Sequence, residues 1–208
     1  TTTVGQLAQS TVCPKGISRP TFDNLRRQAE LQWRQAQRHD GRVEYLLTES
    51  AADTLTRLPK PSQGDLFFDF EGDPLCQGED PHQFGLEYLW GILHADGRFD
   101  PYWADDYRQE QDALEKFMDL VKRQRERHPS MHVYHYAPYE VTALKRLTAR
   151  YQTREVELDD LLRGHVFVDL YATVRGSLRV GQPSYSIKKL EPLYMEEERS
   201  HEEGSVAD

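Results

Sequence analysis

Cysteine is nearly absent from this sequence. Cys13 and Cys76 are the only two, and no CxxC occurs. That excludes a disulfide scaffold and a cysteine-rich zinc site, and it suits a reducing cytoplasm. Long apolar runs are missing as well. None approaches the roughly 18 residues that a membrane span needs, so no membrane partner is expected. The opening TTTVGQLAQS has neither a basic n-region nor an apolar h-region, so it is no signal peptide. GxxxxGK[ST] is absent, which excludes an ATPase phosphate loop. Positive charge is in deficit, with 26 Lys+Arg against 35 Asp+Glu and a net charge of -9. Such acidity argues against a protein that coats nucleic acid nonspecifically.

What is present points to a folded domain. Hydrophobic residues make up only 38%, but aromatics reach 11%, with 11 Tyr, 8 Phe and 3 Trp. A disordered chain lacks those rings. The 208 residues are the size of one large domain, or one domain plus an appendage. The charge is uneven. Glu191, Glu196, Glu197, Glu198, Glu202, Glu203 and Asp208 face only Arg199 in the last stretch, a net of -6. Residues 163–190 hold Arg163, Arg175, Arg179, Lys188 and Lys189 against Asp169, a net of +4. The chain starts at Thr1 without Met and ends at Asp208 without a closing element, so it reads as a segment of a longer protein.

Three regions are expected. Residues 1–46 read as a small helical unit, with Pro20 in a first turn near a Ser18 or Arg19 cap. Phe22, Leu25, Ala29, Trp33 and Ala36 recur there at helical spacing. Residues 47–64, with Pro59, Pro61, Ser62 and Gly64, have linker composition. Residues 65–208 form the main domain. Its first strand, Leu66–Phe70, is nearly all apolar and predicts burial on both faces of a central strand. Phe84–Leu93 and Phe99–Trp103 read as a hairpin across Asp96-Gly97. A helix over 107–127 is followed by a strand at 132–136, a helix at 139–151, a strand at 165–170 and a short helix within 184–193. Three meandering strands followed by two crossover units predict an α/β fold with a mixed five-stranded sheet and flanking helices.

One constellation carries chemistry. Asp69 and Glu71 are two apart on a strand, so both side chains leave one face. Paired carboxylates repel, and a divalent cation is the usual compensation, oxygen ligands favouring Mg²⁺ or Mn²⁺ over zinc. Glu140, at the start of a helix, and Asp169, at the end of a strand, are further acids at strand ends, where open α/β sheets place ligands. The plainer readings are a polar turn at Glu71-Gly72-Asp73-Pro74 and an ordinary first-turn Glu140 favoured by the helix dipole. Tyr136 and Tyr139 lie near enough to stack on bases, and Arg175, Arg179, Lys188 and Lys189 are candidates for phosphate contacts.

The order DFEGDP, HVYHYAPYEVTALKRL, HVFVDLYATVRG and SYSIKKLEPLY resembles the RNase H-like domain of DEDD (DnaQ-type) exonucleases. It is most similar to the YprB-like branch found within RecB-like nuclease/helicase fusions. The resemblance covers roughly residues 64–208. It implies an RNase H-like fold and 3′-5′ exonuclease activity, hydrolysing phosphodiesters with two divalent ions, Mg²⁺ or Mn²⁺. It assigns the D-x-E motif to Asp69 and Glu71 and places Glu140 where the family carries Asp. It sets Asp169 within a Val-Asp-Leu, in a catalytic or supporting role. It also implies single-stranded DNA as the favoured nucleic acid, RecB-like nuclease and helicase domains as chain partners, and a place in DNA repair. The family's last motif, Tyr- or His-x-x-x-Asp on a final helix, has no counterpart after Leu193, so the segment is expected to stop short of it. By the same likeness the N-terminal unit is a connector, with Thr3-Val4-Gly5-Gln6-Leu7 as half of a helix-hairpin-helix-like element. The alternative is a catalytically inactive RNase H-like module that binds DNA or protein.

Overall fold

The computed structural model describes residues 3–78 and 83–195. The acidic stretch from Glu196 to Asp208 lies outside them. The chain forms two compact units, Thr1–Leu55 with Val174–Asp208, and Thr56–Thr173.

In the first unit Thr3 caps α1 (Val4–Gln9) by accepting from Gln6 N. Gly5 sits in that helix against the Trp33 ring, where a Cβ would lie 3.1 Å from an indole carbon. Ser18 caps α2 (Arg19–Gln35) by accepting from Thr21 N, and Pro20 occupies the first turn, where its missing N–H is no loss. Phe22, Ala29 and Leu31 are the buried residues of α2, whereas Leu25 and Trp33 remain exposed. β1 (Tyr45–Leu47) and α3 (Ala51–Thr56) follow. The segment 47–64 therefore contains regular structure, and its proline-bearing part is irregular.

The second unit begins with β2 (Leu66–Gln77), β3 (Phe84–His94) and β4 (Phe99–Trp103). Gly97 makes the turn between the last two at φ +88, a conformation that favours glycine. Asp106 caps α4 (Tyr107–Arg127) by accepting from Gln109 N. Then come β5 (Val133–His135), α5 (Tyr139–Tyr151), α6 (Glu155–Arg163), β6 (Phe167–Asp169) and α7 (Leu170–Ser177). The chain returns to the first unit with β7 (Leu178–Val180), which pairs antiparallel with β1. The short α8 (Ile187–Leu190) and a 3₁₀ turn at Glu191–Leu193 close the described chain.

The five-stranded sheet has the order β4-β3-β2-β5-β6. β2 is central, antiparallel to β3 and parallel to β5, which is parallel to β6. This is the mixed α/β sheet that the strand order predicted. Leu66, Phe68 and Phe70 point into a core with Trp90, Leu114, Phe117, Leu144 and Leu147. The rings of Phe68 and Phe117 stack at 4.1 Å, and Phe70 meets Trp90 edge-on at 4.5 Å. Burying each such side chain contributes roughly 1.5–3 kcal/mol.

One expectation fails on β2. Its run of apolar residues predicted burial on both faces, yet Phe67, Asp69 and Glu71 are exposed on the second face. Phe67 is 42% exposed and covers itself by stacking on Tyr134 at 5.3 Å. A cross-strand aromatic pair, rather than a covering layer, accounts for that phenylalanine.

Candidate active site

β2 does not end at its acids. It runs on to Gln77, with a register shift between Glu71 and Gly72. Asp69 lies opposite Gly91 and Glu71 opposite Leu89 on the β3 side. On the other side β5 pairs with β2 only at Leu66 and Phe67. The parallel pairing with β2 therefore ends two residues before Asp69, while β5 goes on pairing with β6, and the gap between β2 and β5 flanks that carboxyl group.

Glu140 enters this gap from the first turn of α5. Its side chain is buried although it carries a carboxylate. The Asp69 carboxyl is within reach of it. Although the residue as a whole is exposed, desolvation of its carboxyl comes first, then the Glu140 charge and a hydrogen bond shared with it, and lastly Glu71; together they push the Asp69 pKa up to about 6. Asp69 thus feels both Glu140 and Glu71, although the two acids of β2 lie within the strand and not at its end.

His135 supports Glu140. Its Nδ1 is 2.7 Å from the Ala137 carbonyl and 3.4 Å from Glu140 Oε2. A single Nδ1–H serves the nearer carbonyl, which leaves Glu140 Oε2 buried without a hydrogen-bond donor. Burial works against the His135 charge, but Glu140, the Ala137 carbonyl and Asp169 outweigh it and raise the pKa.

Asp169 has a different place. Its Oδ1 accepts from Ala137 N at 3.0 Å and Tyr171 N at 2.8 Å. Ala137 has φ 73, a left-handed conformation uncommon for a residue with a Cβ. Asp169 and His135 together bind the N–H and carbonyl of this residue and hold the turn that delivers Glu140. Tyr136 packs edge-on against Tyr171 at 5.5 Å. The Tyr139 hydroxyl donates to Glu87 Oε1 at 2.8 Å, and its pKa is pushed up to about 12 by burial and by Glu87. Arg175, Arg179, Lys188 and Lys189 lie in the other unit.

The sequence reading did not single out Glu87. This fully buried acid accepts from Tyr139 and Arg146 through Oε1, while Oε2 has no donor. Gly72 lies over it, and a Cβ there would collide with Glu87 Oε2. The bulge after Glu71 and the residue before Glu140 therefore rest on one side chain. The only available signal was an acid inside the apolar strand Phe84–Leu93, which does not by itself disclose its partners.

A divalent cation fits part of this site. The raised Asp69 pKa marks crowded negative charge, and Glu140 Oε2 has no hydrogen-bond donor, with His135 Nδ1 3.4 Å away. Among the described residues, however, no group of three or more His, Cys, Asp or Glu side chains is arranged to hold a metal ion. Two carboxylates are what Mg²⁺ often takes from a protein, with water and phosphate oxygens completing its shell.

The Asp69 shift predicts a pH dependence in cation-free protein. A raised carboxyl pKa means that the folded state binds this proton more tightly than the unfolded state. Stability from this group is gained as pH falls through about 6 and lost as pH rises past it. Asp69 stands on an exposed face, so water screens the repulsion and limits the effect to at most about 1 kcal/mol. Asp69→Asn should therefore melt higher than the parent at neutral pH in chelator. The advantage should shrink as pH falls from 6 toward about 4. Equal melting temperatures at neutral pH would show that Asp69 is not strained by its neighbours.

The RNase_H superfamily model matches residues 66–206, and the chain belongs to that superfamily. No curated protein and no solved structure matches the chain. Among the described residues no helix is long and apolar enough to cross a membrane.

Proposed function

We propose that this chain is a metal-dependent nuclease domain of the DEDD class, a 3′-5′ exonuclease acting on nucleic acid, with single-stranded DNA as its favoured substrate. One observation carries the reading: in a fold of the RNase H superfamily, the Asp69 and Glu140 carboxyls meet beside Glu71 where β5 leaves β2. Asp69, Glu71 and Glu140 would hold Mg²⁺ or Mn²⁺, two ions in the complete site. Bound there, the cation would supply Lewis-acid charge to the phosphate and lower the pKa of attacking water. The chain's own residues do the rest. His135 and Asp169 fix the Ala137 turn and with it Glu140. Glu87 holds Tyr139, whose exposed ring offers a stacking surface to a base. Tyr136 stands in the same loop. Arg175, Arg179, Lys188 and Lys189 would meet backbone phosphates. On the sequence resemblance to YprB-like domains, the parent chain would carry RecB-like nuclease and helicase parts and act in the cytoplasm in DNA repair.

A second reading is a catalytically inactive module that binds DNA or protein. The lack of a three-ligand group among the described residues favours it. The test is a nuclease assay on the full natural chain, with 3′-labelled single-stranded DNA and Mn²⁺. Asp69→Ala is compared with the parent, in a background without any second nuclease domain. The proposal expects release of labelled mononucleotides and its loss by a factor of about 100 or more in the variant. An active parent with an equally active variant would move the chemistry elsewhere. A parent that binds DNA and never cleaves it would establish the module.

A further inference from the structure

In the unit Thr56–Thr173 the second face of the sheet carries more than acids. Residues directly opposite each other on neighbouring strands point to the same side, so the register fixes what stands beside Asp69 and Glu71. Phe67 lies opposite Leu93, and Leu93 opposite Phe99. Glu71 lies opposite Leu89, and Leu89 opposite Trp103. Phe67, Leu93, Phe99 and Trp103 are all exposed, Phe99 by 55% and Trp103 by 60%. Three rings therefore share one open face with two carboxylates.

The floor between the acids and the outer rings is low. Asp69 lies opposite Gly91, which has no side chain. The Phe99 ring leans over that glycine, and a Cβ there would meet it at 3.4 Å. The Trp103 ring is oriented by Tyr88, 19° from parallel with the centroids 6.4 Å apart. β4 is two strands from β2, about 10 Å at the usual strand spacing. The Phe99 ring thus approaches the level of Asp69 across bare backbone.

An open apolar patch of this kind marks a binding surface, and its chemistry selects the occupant. A second copy or an apolar helix laid on this face would strip water from Asp69 and Glu71, and the cost of burying those charges would oppose it. Unpaired bases stack on rings and leave the acids wet, and a strand's phosphates reach such acids through a divalent cation. We infer that this face is a stacking platform for the bases of a single nucleic acid strand, with Phe99 and Trp103 as its outer rings and its inner end at Asp69. The inference rests on the proposed nuclease reading for where the strand ends. The stacking itself needs neither cation nor cleavage.

The experiment measures fluorescence anisotropy of a labelled single-stranded oligonucleotide with the full chain in EDTA. Asp69→Ala is carried throughout, so failure of the nuclease reading and failure of the platform are separate results. Phe99→Leu and Trp103→Leu keep an apolar side chain and remove the ring. Each should raise the dissociation constant roughly tenfold. The slope of log K against log salt should stay as in the parent, because no charge is removed. Val156→Ala, at an exposed position on α6, should leave affinity unchanged. A strand of abasic sites should bind the unmodified face about tenfold or more weakly than a normal strand of equal length, a comparison that needs no ring variant. Parent-like affinity in both leucine variants, or equal affinity for the abasic strand, would overturn the platform. A parent that sediments as a dimer, with leucine variants that sediment as monomers, would give the face to a second copy and overturn it too.

Discussion

Glu140→Gln is expected to weaken Mn²⁺ binding about 100-fold while the protein stays folded, as read by calorimetric titration at neutral pH. The substitution keeps the shape of a buried side chain, removes its charge and exchanges one acceptor oxygen for an amide donor. The parent carboxylate has a donorless Oε2 and faces the Asp69 carboxyl, so the pair repels in the absence of cation. Neutral glutamine relieves that repulsion. The apoprotein should therefore melt slightly higher than the parent, and the stabilisation by Mn²⁺ should nearly vanish. These opposite shifts distinguish a cation site from a structural acid. A structural acid would lose stability on substitution and leave cation affinity unchanged. The effect on Asp69 supplies a second readout. Without the Glu140 charge its carboxyl should titrate closer to the ordinary carboxylate range, because burial alone then remains as the main cause of the shift. Mn²⁺ affinity equal to the parent's would remove Glu140 from any metal site.

Much of this geometry was legible in the sequence, and the limits have physical causes. The helix over 107–127 and the strand at Phe99–Trp103 emerge with the predicted boundaries, because a cap, a proline or an Asp-Gly turn marks each. The pairing of Asp69 with Glu71 follows from strand periodicity, and the placement of Glu140 from its helix start. What the sequence concealed was tertiary. Phe67 looks like a core residue until its partner Tyr134 is found across the sheet. Leu25 and Trp33 share a helical stripe with Phe22 and Ala29, but the unit is too small to cover them. Asp169 reads as a catalytic or supporting acid by its position at a strand end. Only the structure shows two backbone amides on its Oδ1. The short β1 and β7 carry no distinctive pattern, so the return of residues from Val174 to the first unit could not be anticipated. Local rules identified elements; pairings between distant residues needed coordinates.

The largest stability effect is expected at Glu110, a residue outside the acidic site itself. This residue of α4 is completely buried. Its Oε1 accepts from the backbone N–H of Glu87. Its Oε2 accepts from Arg150 Nη1 at 3.0 Å and from the Tyr151 hydroxyl. Burial and Glu110 together raise the Tyr151 pKa, so that hydroxyl stays a donor. Glu110→Ala strands all three donors at once. Arg150 keeps the Gly85 and Phe84 carbonyls at 3.0 and 2.6 Å, but its charge loses the only carboxylate paired with it among the described residues. Breaking such a buried pair from one side costs about 3–5 kcal/mol. Domains of this size are stable by about 5–15 kcal/mol, so urea denaturation should show a large fall in midpoint with little change in slope. Glu110→Gln retains one acceptor and should lose less, about 1–3 kcal/mol. The damage should also reach the acidic site through a short path. Glu110 holds the Glu87 backbone, Glu87 holds Tyr139, and Tyr139 precedes Glu140 on α5. Folded Glu110→Gln protein should thus bind Mn²⁺ more weakly than its stability alone explains. A loss below 1 kcal/mol for Glu110→Ala would mean that water or rearranged neighbours satisfy the stranded donors, and that the network does not brace the site.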